Sequence, residues 1–469
     1  RGGCGEGKTH PMEAEGAHSE VAYEPHVDQD SAPYIVESSL SSASPAPPKR
    51  RAICNVFLLG ISFAILFSAY SPTQGYMTSL NKDMGYISLA VLYVVFGVVN
   101  LFAPMITLRL GLRLSLVLSG ATYALFVASS TIQIPAIMLA CSVLIGAGAA
   151  VLWNAQAGYL LGNSSSETVG MLSGLFNVLF YISTVTGSAG VGILFYLDYN
   201  PTMVFLVLTV VACSSLVVMC FLRPAPAVSE LARERGILPE LHSGAVSVRR
   251  EVANVLVVFQ DKRFLLFIPY LLVSGVGQSY YTGSFPPTLS DSNVDIAIYL
   301  FVLGICQIGG SLLAGKLSDR VGRSPIVFLS IFMWSLGICA SFFSLQADSE
   351  THRFWWALAT ASLIGLGDVG ALTMSYAILG IMFPHKINQG FAAQKLVMAG
   401  STGVSMALGI LCSVEVLALI QTVVLISASI CFTVLVKSVF PLGRVDAKMQ
   451  EQHQHAVERG MQVELSDAP

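Results

Sequence analysis

The stretch Gly315-Lys316-Leu317-Ser318-Asp319-Arg320-Val321-Gly322-Arg323 is a short basic turn between two long apolar runs. The run before it extends over 296–314, and the run after it over 325–343. A helix needs roughly 20 apolar residues to cross the hydrocarbon core of a bilayer, so each run is long enough to do so. A charged turn this tight between two such runs indicates two antiparallel membrane-spanning helices.

The composition places the whole chain in the membrane. Of its 469 residues, 54% are hydrophobic and only 11% are charged, whereas soluble domains carry about 25% charged residues. Within hydrocarbon, only helices and closed barrels satisfy the backbone. The apolar runs are continuous rather than alternating, so we predict an all-α polytopic membrane protein. The nine cysteines are scattered without metal-ligand spacing, and we expect neither a metal site nor a disulfide framework.

The apolar runs fall into two groups of six. We predict a disordered cytosolic tail over 1–52, a first six-helix bundle over 53–222, a cytosolic linker over 223–262, a second bundle over 263–437 and a cytosolic tail over 438–469. The predicted spans are 53–72, 86–106, 113–131, 135–160, 169–196, 202–222, 264–286, 293–314, 324–345, 355–382, 389–411 and 414–436. Twelve helices in two six-helix halves around a central cavity are typical of the major facilitator fold.

The positive charges predict the orientation of the spans. Only Lys82 and Arg353 fall on one side of the predicted membrane. The other side holds Lys49, Arg50, Arg51, Arg109, Arg113, Arg223, Arg233, Arg235, Arg249, Arg250, Lys262, Arg263, Lys316, Arg320, Arg323, Lys386, Lys437 and Arg444. By the positive-inside rule, both termini should be cytosolic, in the plasma membrane or an endomembrane. The sequon at Asn163 would then face the cytosol, and we expect it to carry no sugar.

The opening stretch also matches the loop signature G-x-L-x-D-R-x-G-R. Its glycines permit a sharp turn, and its charges can bridge neighbouring helix ends. We therefore predict a conformational latch formed by Gly315, Asp319, Arg320, Gly322 and Arg323. The alternative is an ordinary positive-inside turn. The corresponding loop of the first half, 103–113, has Leu108 at the position of the acid when Gly111 is aligned with Gly322.

Two ionisable residues lie inside predicted spans of the second half. Such residues are costly in a membrane and are usually functional. Asp368 lies in mid-span, so it must be protonated, paired or exposed to a wet cavity, in a coupling or a purely structural role. Lys395 lies in the next span, about 13 Å away in depth at 1.5 Å per residue, which argues against direct contact. Lys395 either faces the cavity or snorkels toward the cytosol.

Neutral polar and aromatic residues supply two further candidates. Trp153, Asn154 and Gln156 lie on a span rich in small residues. They either line a cavity for a substrate or hydrogen-bond between helices. The aromatic stretch 280–287 ends the seventh span and reads equally well as an interfacial belt or as a gate.

No motif for enzymatic chemistry is evident. The sequence contains no P-loop, G-x-S-x-G, HExxH or CxxC motif. We expect neither an enzyme nor a cofactor. The expected partners are membrane lipid, a small solute or ion, and another membrane protein, with no role for nucleic acid.

Several stretches, taken in order, resemble the Unc-ninety-three-like family, the ion-channel regulatory branch of the major facilitator superfamily. They are 55–60 with 67–74, 103–104 with 110–113, 153–160, 365–368 with 376–380, and 391–395. The similarity extends over nearly all of 53–436. It implies a transporter-like fold in a protein that acts as a transporter, a channel-regulatory subunit or a trafficking partner.

Two hypotheses follow for the function. In the first, the protein transports a solute or ion by alternating access, with Asp368 as the coupling carboxylate. In the second, it is a non-transporting partner of another membrane protein, such as a potassium channel. The substrate itself is not readable from the sequence.

Overall fold

The structure, a computed structural model, describes residues 49–164, 168–223, 248–289, 292–383 and 386–439. Most of the two predicted tails and of the predicted linker lies outside these ranges. The described residues all belong to one compact unit, Ala43–Pro469.

The described chain is helical almost throughout. A π-helical turn, Tyr280–Ser284, and a 3₁₀ turn, Pro286–Thr288, continue α8, and a second π-helical turn, Leu435–Val439, continues α13. The α-helices are α1 (Lys49–Asn100), α2 (Ala103–Leu110), α3 (Leu112–Ile132), α4 (Pro135–Gly162), α5 (Val169–Tyr196), α6 (Pro201–Cys220), α7 (Val248–Val258), α8 (Lys262–Ser279), α9 (Asn293–Val321), α10 (Arg323–Gln346), α11 (Glu350–Met382), α12 (Ile387–Leu411) and α13 (Val414–Val434).

Local sequence explains where several helices begin. Proline occupies one of the first two positions of α2, α4 and α6, where its missing N–H would have had no helical partner. The Asn200 side chain caps α6 by accepting a hydrogen bond from the Met203 backbone N–H at 2.8 Å. Asp261 caps α8 in the same way and also pairs with Arg263 at 2.7 Å.

Helix α1 contains two spans joined by a sharp reversal. Met77 and Gly85 would lie about 12 Å apart in a straight helix. Instead, a Cβ added at Gly85 would lie 2.2 Å from the Met77 carbonyl oxygen. Gly85 is therefore required by the close approach of the two arms. The first arm is longer than predicted, since the apolar span is Arg50–Leu80 rather than 53–72.

The predicted second span, 86–106, was wrong at its end. The helix stops at Asn100, residues 101 and 102 form a turn, and α2 begins at Ala103. Pro104 accounts for the break, because proline has no N–H for the helical ladder and disfavours helical geometry in the residue before it.

Eleven helical segments of the described chain are long and apolar enough to cross a membrane. The prediction was twelve. The missing one corresponds to the predicted span 389–411, which the structure forms as the 25-residue helix α12. This helix carries Gln389, Gln394, Lys395 and several small or hydroxyl residues. Its polar content lowers its hydropathy, although its length suffices to cross.

The helices pack into two halves, α1–α6 and α8–α13. Within the first half α1 contacts α4, α5 and α6, and within the second α11 contacts α9 and α10. The halves meet mainly through α1 with α12 and α5 with α9, and α1 also contacts α9 and the two turns that follow α8. The described lysines and arginines at the helix ends gather at one end of the bundle, called here the basic end. The end that holds Lys82 and Arg353 is called the opposite end.

Close packing of α1 on α5 gives a test of the fold. A Cβ at the buried Gly187 would lie 2.3 Å from the Ser68 carbonyl oxygen, whereas a Cβ at the exposed Gly190 would meet nothing within 4 Å. We expect Gly187→Ala to destabilise the protein by about 1–3 kcal/mol through overpacking. Gly190→Ala should be neutral or stabilising by up to about 1 kcal/mol. Thermal unfolding of both variants in detergent checks this, and equal melting temperatures would contradict the packing described.

Candidate functional site

A buried tyrosine hydroxyl joins the two halves at mid-depth. Tyr93, on the second arm of α1, accepts hydrogen bonds from the Gln74 amide at 2.8 Å and from the Gln278 amide at 2.7 Å. Gln74 also donates to the Thr282 hydroxyl at 3.3 Å. Gln74 and Tyr93 belong to the first half, Gln278 and Thr282 to the second. The centre of the interface between the halves is therefore polar.

Closer to the opposite end, Pro287 leaves a backbone carbonyl free to accept hydrogen bonds from the other half. In an α-helix the Gly283 carbonyl would accept from the backbone N–H of residue 287, but Pro287 has none. This carbonyl instead accepts the Thr78 hydroxyl at 2.6 Å and the Tyr86 hydroxyl at 3.2 Å, both from the first half. The Tyr76 hydroxyl donates similarly to the Asn293 carbonyl. These bonds hold the two halves together at the opposite end.

A cavity of about 410 Å³ opens at this same end. It lies between the α5–α6 connection of the first half and the start of α9 in the second. Its lining residues are Phe195, Tyr196, Asp198, Tyr199, Pro201, Ser292, Asn293 and Val294.

Asp368, the first predicted site residue, lies on α11 and is 8% exposed. The Tyr281 hydroxyl donates to its carboxylate at 3.1 Å, and Ser274 and Gln307 also interact with it. It forms no ion pair with any described residue. The carboxylate is thus surrounded by neutral donors, at the level of the polar contact between the halves.

The π-helical turn after α8 is what brings Tyr281 to Asp368. A π-turn inserts a residue into the helical repeat and is frequent at functional sites. Tyr280 and Tyr281 are 1% and 6% exposed, so they face the protein interior. This burial argues against the interpretation of the stretch 280–287 as an interfacial belt, and its role as a gate stays a prediction.

Lys395, on α12, points inward and does not snorkel. Its ammonium donates to the Tyr376 hydroxyl at 2.7 Å. It also lies 5.3 Å from the centre of the Tyr376 ring and 5.9 Å from that of Trp153. Like Asp368, it makes no ion pair with a described residue. Tyr376 follows Asp368 by about 12 Å along α11, which agrees with the predicted depth offset.

The other predicted cavity residues lie on α4. Trp153 packs in an aromatic cluster of the first half, with ring centres 5.2 Å from Phe180 and 5.8 Å from Phe63, and it faces Lys395 across the interface. Gln156 is 9% exposed and Asn154 is half-buried. Neither amide takes part in the hydrogen bonds around Tyr93. Neither is among the fully buried side-chain atoms of the described chain that lack a hydrogen-bond partner. The predicted role in hydrogen bonding between helices therefore lacks support here.

The predicted latch lies at the basic end, between α9 and α10. Gly322 ends α9 with φ 84° and ψ 172°, and Gly111 ends α2 with φ 78° and ψ 154°. Both values fall in a region that essentially only glycine adopts. Arg320 is exposed and Arg323 is half-buried. The surroundings of Gly315 and of the Asp319 side chain lie outside the described part of the chain, so the partners of the acid remain a prediction.

Two polar contacts tie helices together at the basic end of the first half. The Arg113 guanidinium donates to the Cys220 carbonyl at the end of α6, where a cation is favoured by the helix dipole. Asn163 accepts from the Asn55 amide at 2.7 Å and donates to the Tyr159 carbonyl at 2.8 Å. Asn163 is only 1% exposed. Because its side-chain amide is buried and hydrogen-bonded at both the oxygen and the nitrogen, it agrees with the prediction that Asn163 is unglycosylated.

Sequence reasoning missed Tyr93, Tyr376 and Gln278, and it included Tyr281 only as part of the aromatic stretch 280–287. Tyr93, Tyr281 and Tyr376 each position a polar group at the interface. The available signal was the placement of tyrosines and glutamines in the middle of apolar runs, where an unsatisfied polar group is costly. Such a placement shows that the side chain must have a hydrogen-bond partner inside the protein, but it does not show which residue that partner is.

Most of the chain is similar in sequence to known proteins. Residues 77–433 match the sequence profile of a family described as "Ion channel regulatory protein UNC-93". The "UNC93-like protein MFSD11" of Xenopus tropicalis is 29% identical over 403 residues, which is 76% of this chain and 90% of that protein. The "Putative potassium channel regulatory protein unc-93" of Caenorhabditis elegans is 22% identical over 377 residues, 68% of this chain and 52% of that protein.

Solved structures resemble the fold at low sequence identity. A POT family transporter crystallised with 5-aminolevulinic acid superposes with a TM-score of 0.64 at 11% identity, over 86% of this chain and 99% of its own. At such identity the likeness concerns the fold alone. It confirms the predicted all-helical major facilitator architecture.

Proposed function

The chain belongs to the UNC-93 family of the comparison above, and from this premise we propose that it is a transporter that moves a small solute or ion by alternating access. In this proposal the halves α1–α6 and α8–α13 open in turn at the basic end and at the opposite end. Asp368 is the coupling carboxylate. The basic end faces the cytosol, in accordance with the positive-inside rule.

The observation that carries the proposal is the setting of Asp368. A buried carboxylate without a cation is expensive in a membrane protein unless it is protonated or contacts water or a ligand. Here the carboxylate contacts the Tyr281 hydroxyl at 3.1 Å, beside the polar contact between the halves. Ionisable residues within membrane spans usually mark substrate or ion pathways.

The contacts at the opposite end are weak enough to break in a cycle. Five hydrogen bonds join the halves there and at mid-depth. Side-chain hydrogen bonds between membrane helices average about 0.6 kcal/mol each, or about 3 kcal/mol for the group. A solute that binds the two states differently by a similar amount can shift such an equilibrium. These values support a closed but reversible state.

Substitution of the carboxylate tests the proposal. We expect Asp368→Asn to fold at least as stably as the wild type, because the variant no longer buries a charge without a cation. Its solute transport should fall by about 5- to 150-fold, the effect of losing a coupling free energy of 1–3 kcal/mol. The measurements are solid-supported membrane electrophysiology and uptake of labelled solute, both on proteoliposomes, with amino acids, sugars, nucleosides and organic acids as candidate solutes. Uptake is needed because electroneutral transport gives no current.

The matched control is Glu415→Gln, which neutralises an exposed carboxylate at the start of α13. Glu415→Gln should retain the wild-type current. Full transport in Asp368→Asn, or neither current nor uptake by the wild type with any solute, would refute the proposal.

The second candidate function is regulation of another membrane protein. It is favoured by the name of the Caenorhabditis elegans relative, a putative potassium channel regulatory protein. In that case the protein should co-purify stoichiometrically with a channel, and Asp368→Asn should leave the association unchanged. The two functions are thus separated by the same variant.

A further inference from the structure

Lys395 has unused hydrogen-bonding capacity. An ammonium group has three N–H donors, and the described residues supply one oxygen acceptor, the Tyr376 hydroxyl at 2.7 Å. The Trp153 ring, whose centre is 5.9 Å away, adds a cation–π attraction, whereas Tyr376 contacts the ammonium through its hydroxyl. Two donors are therefore available to a ligand.

The Trp153 ring and the Tyr376 hydroxyl only partly offset the cost of removing the Lys395 ammonium from water. A cation–π contact contributes about 0.5–2 kcal/mol, while removing an ammonium from water costs several kcal/mol even after relaxation. Lys395 is half-buried, which reduces that cost without removing it. An anion at this position would complete the coordination and form charge-assisted hydrogen bonds, which are about twice as strong as neutral ones.

The position is suited to a transported ligand. Trp153 belongs to α4 of the first half and Lys395 to α12 of the second, so the ring and the ammonium move relative to each other when the halves do. Trp153 continues into aromatic side chains of its own half, with Phe180 at 5.2 Å and Phe67 at 5.6 Å between ring centres. Phe391 packs edge-on against Tyr376 at 5.6 Å. The Lys395 ammonium therefore lies beside a group of packed aromatic rings.

Asp368 limits the charge of the ligand. It lies on the same helix as Tyr376, about 12 Å further along the axis. A second carboxylate extending in that direction would approach a group of like sign. A single negative charge on an apolar or aromatic body fits both surroundings.

From this arrangement we propose that Lys395, Tyr376 and Trp153 form a binding site for a small organic monocarboxylate, whose carboxylate binds the Lys395 ammonium and whose apolar body packs on Trp153. The inference rests on the proposed transport function for its biological meaning, and it names the substrate class. The binding step itself requires no transport.

Ligand-induced thermal stabilisation of the purified full chain in detergent tests the site. The probes are benzoate, phenylacetate and 3-phenylpropionate, each paired with its neutral amide. At least one carboxylate should raise the unfolding temperature of the wild type, and its amide should not. Lys395→Met should weaken the carboxylate by about tenfold or more, because the charge-assisted bonds are lost. Lys395→Arg should retain most of the binding.

Further variants keep the test decisive. If Lys395→Met does not fold, Tyr376→Phe should still weaken binding of the carboxylate and leave any weak binding of the amide unchanged, whereas Trp153→Leu should weaken binding of both. Equal shifts with acid and amide, undiminished binding in Lys395→Met, or no shift with any of the three carboxylates would overturn the proposal. Carboxylate binding with neither current nor uptake of any solute would leave the anion site standing and refute transport, whereas transport without carboxylate binding would do the reverse.

Discussion

A disulfide between Gly192→Cys on α5 and Ala297→Cys on α9 should abolish transport, and reduction should restore it. A Cβ at Gly192 would lie 3.0 Å from the Ala297 Cβ. Natural disulfides have Cβ atoms about 3.5–4.5 Å apart, so a small outward shift suffices. The bond would join the two halves near the opposite end. Because separation of the halves at this point would require breaking a covalent bond, the open state should be lost until the bond is reduced.

The control is a disulfide of the same geometry within one half. A Cβ at Gly60 on α1 would lie 3.0 Å from the Leu179 Cβ on α5, and both helices belong to the first half. Both pairs would be built in a background without the nine native cysteines. Solute-driven current with and without reductant is measured in each. Current that persists in the oxidised Gly192–Ala297 variant would show that the halves need not separate there.

Gly111→Ala and Gly322→Ala should each destabilise the protein by about 1–3 kcal/mol, since the backbone at both positions lies in a region reserved for glycine. At Gly111 the cause is isolated, because an added Cβ would meet nothing within 4 Å. Any loss therefore reports backbone strain rather than a clash. Thermal unfolding and the yield of folded protein after membrane extraction are the measurements.

Gly174→Ala on α5 is the matched control for this pair. A Cβ there also meets open space, but the backbone is helical. Alanine should be neutral or stabilising by up to about 1 kcal/mol. A Gly111→Ala variant as stable as Gly174→Ala would mean that the turn between α2 and α3 differs from the one described.

Much of the architecture could be predicted because it depends on short-range properties. Hydrophobic runs such as 202–222 and the turn at Gly322 specify a span and a sharp reversal by themselves. The family resemblance was also confirmed by the match over 77–433. The predicted ends of the first two spans were wrong because a local break in the helix does not appear in the hydropathy pattern. Pro104 ends the helix inside a continuous apolar run, which hydropathy predicts as one span. Gly85 allows the chain to reverse direction, which the hydropathy of the sequence does not indicate.

The candidate site was only half predictable. Asp368 and Lys395 stand out because a charge in an apolar run is rare. Their partners do not, since Tyr281 and Tyr376 are ordinary residues in such runs. The carbonyl of Gly283 is freed by Pro287, four residues on, yet its acceptance of Thr78 and Tyr86 depends on the docking of two halves about 200 residues apart in sequence. Contacts of that separation are set by tertiary packing and not by local pattern.

The most direct test of alternating access is a pair of distance measurements by double electron–electron resonance. One spin-label pair, at the exposed Leu110 and Val321, spans the halves at the basic end, and another, at Leu197 and Ser349, spans them at the opposite end. Both pairs should show two distance populations whose weights change in opposite directions between the wild type and the oxidised Gly192–Ala297 variant. A single distance at each end, unchanged by the disulfide, would contradict the account.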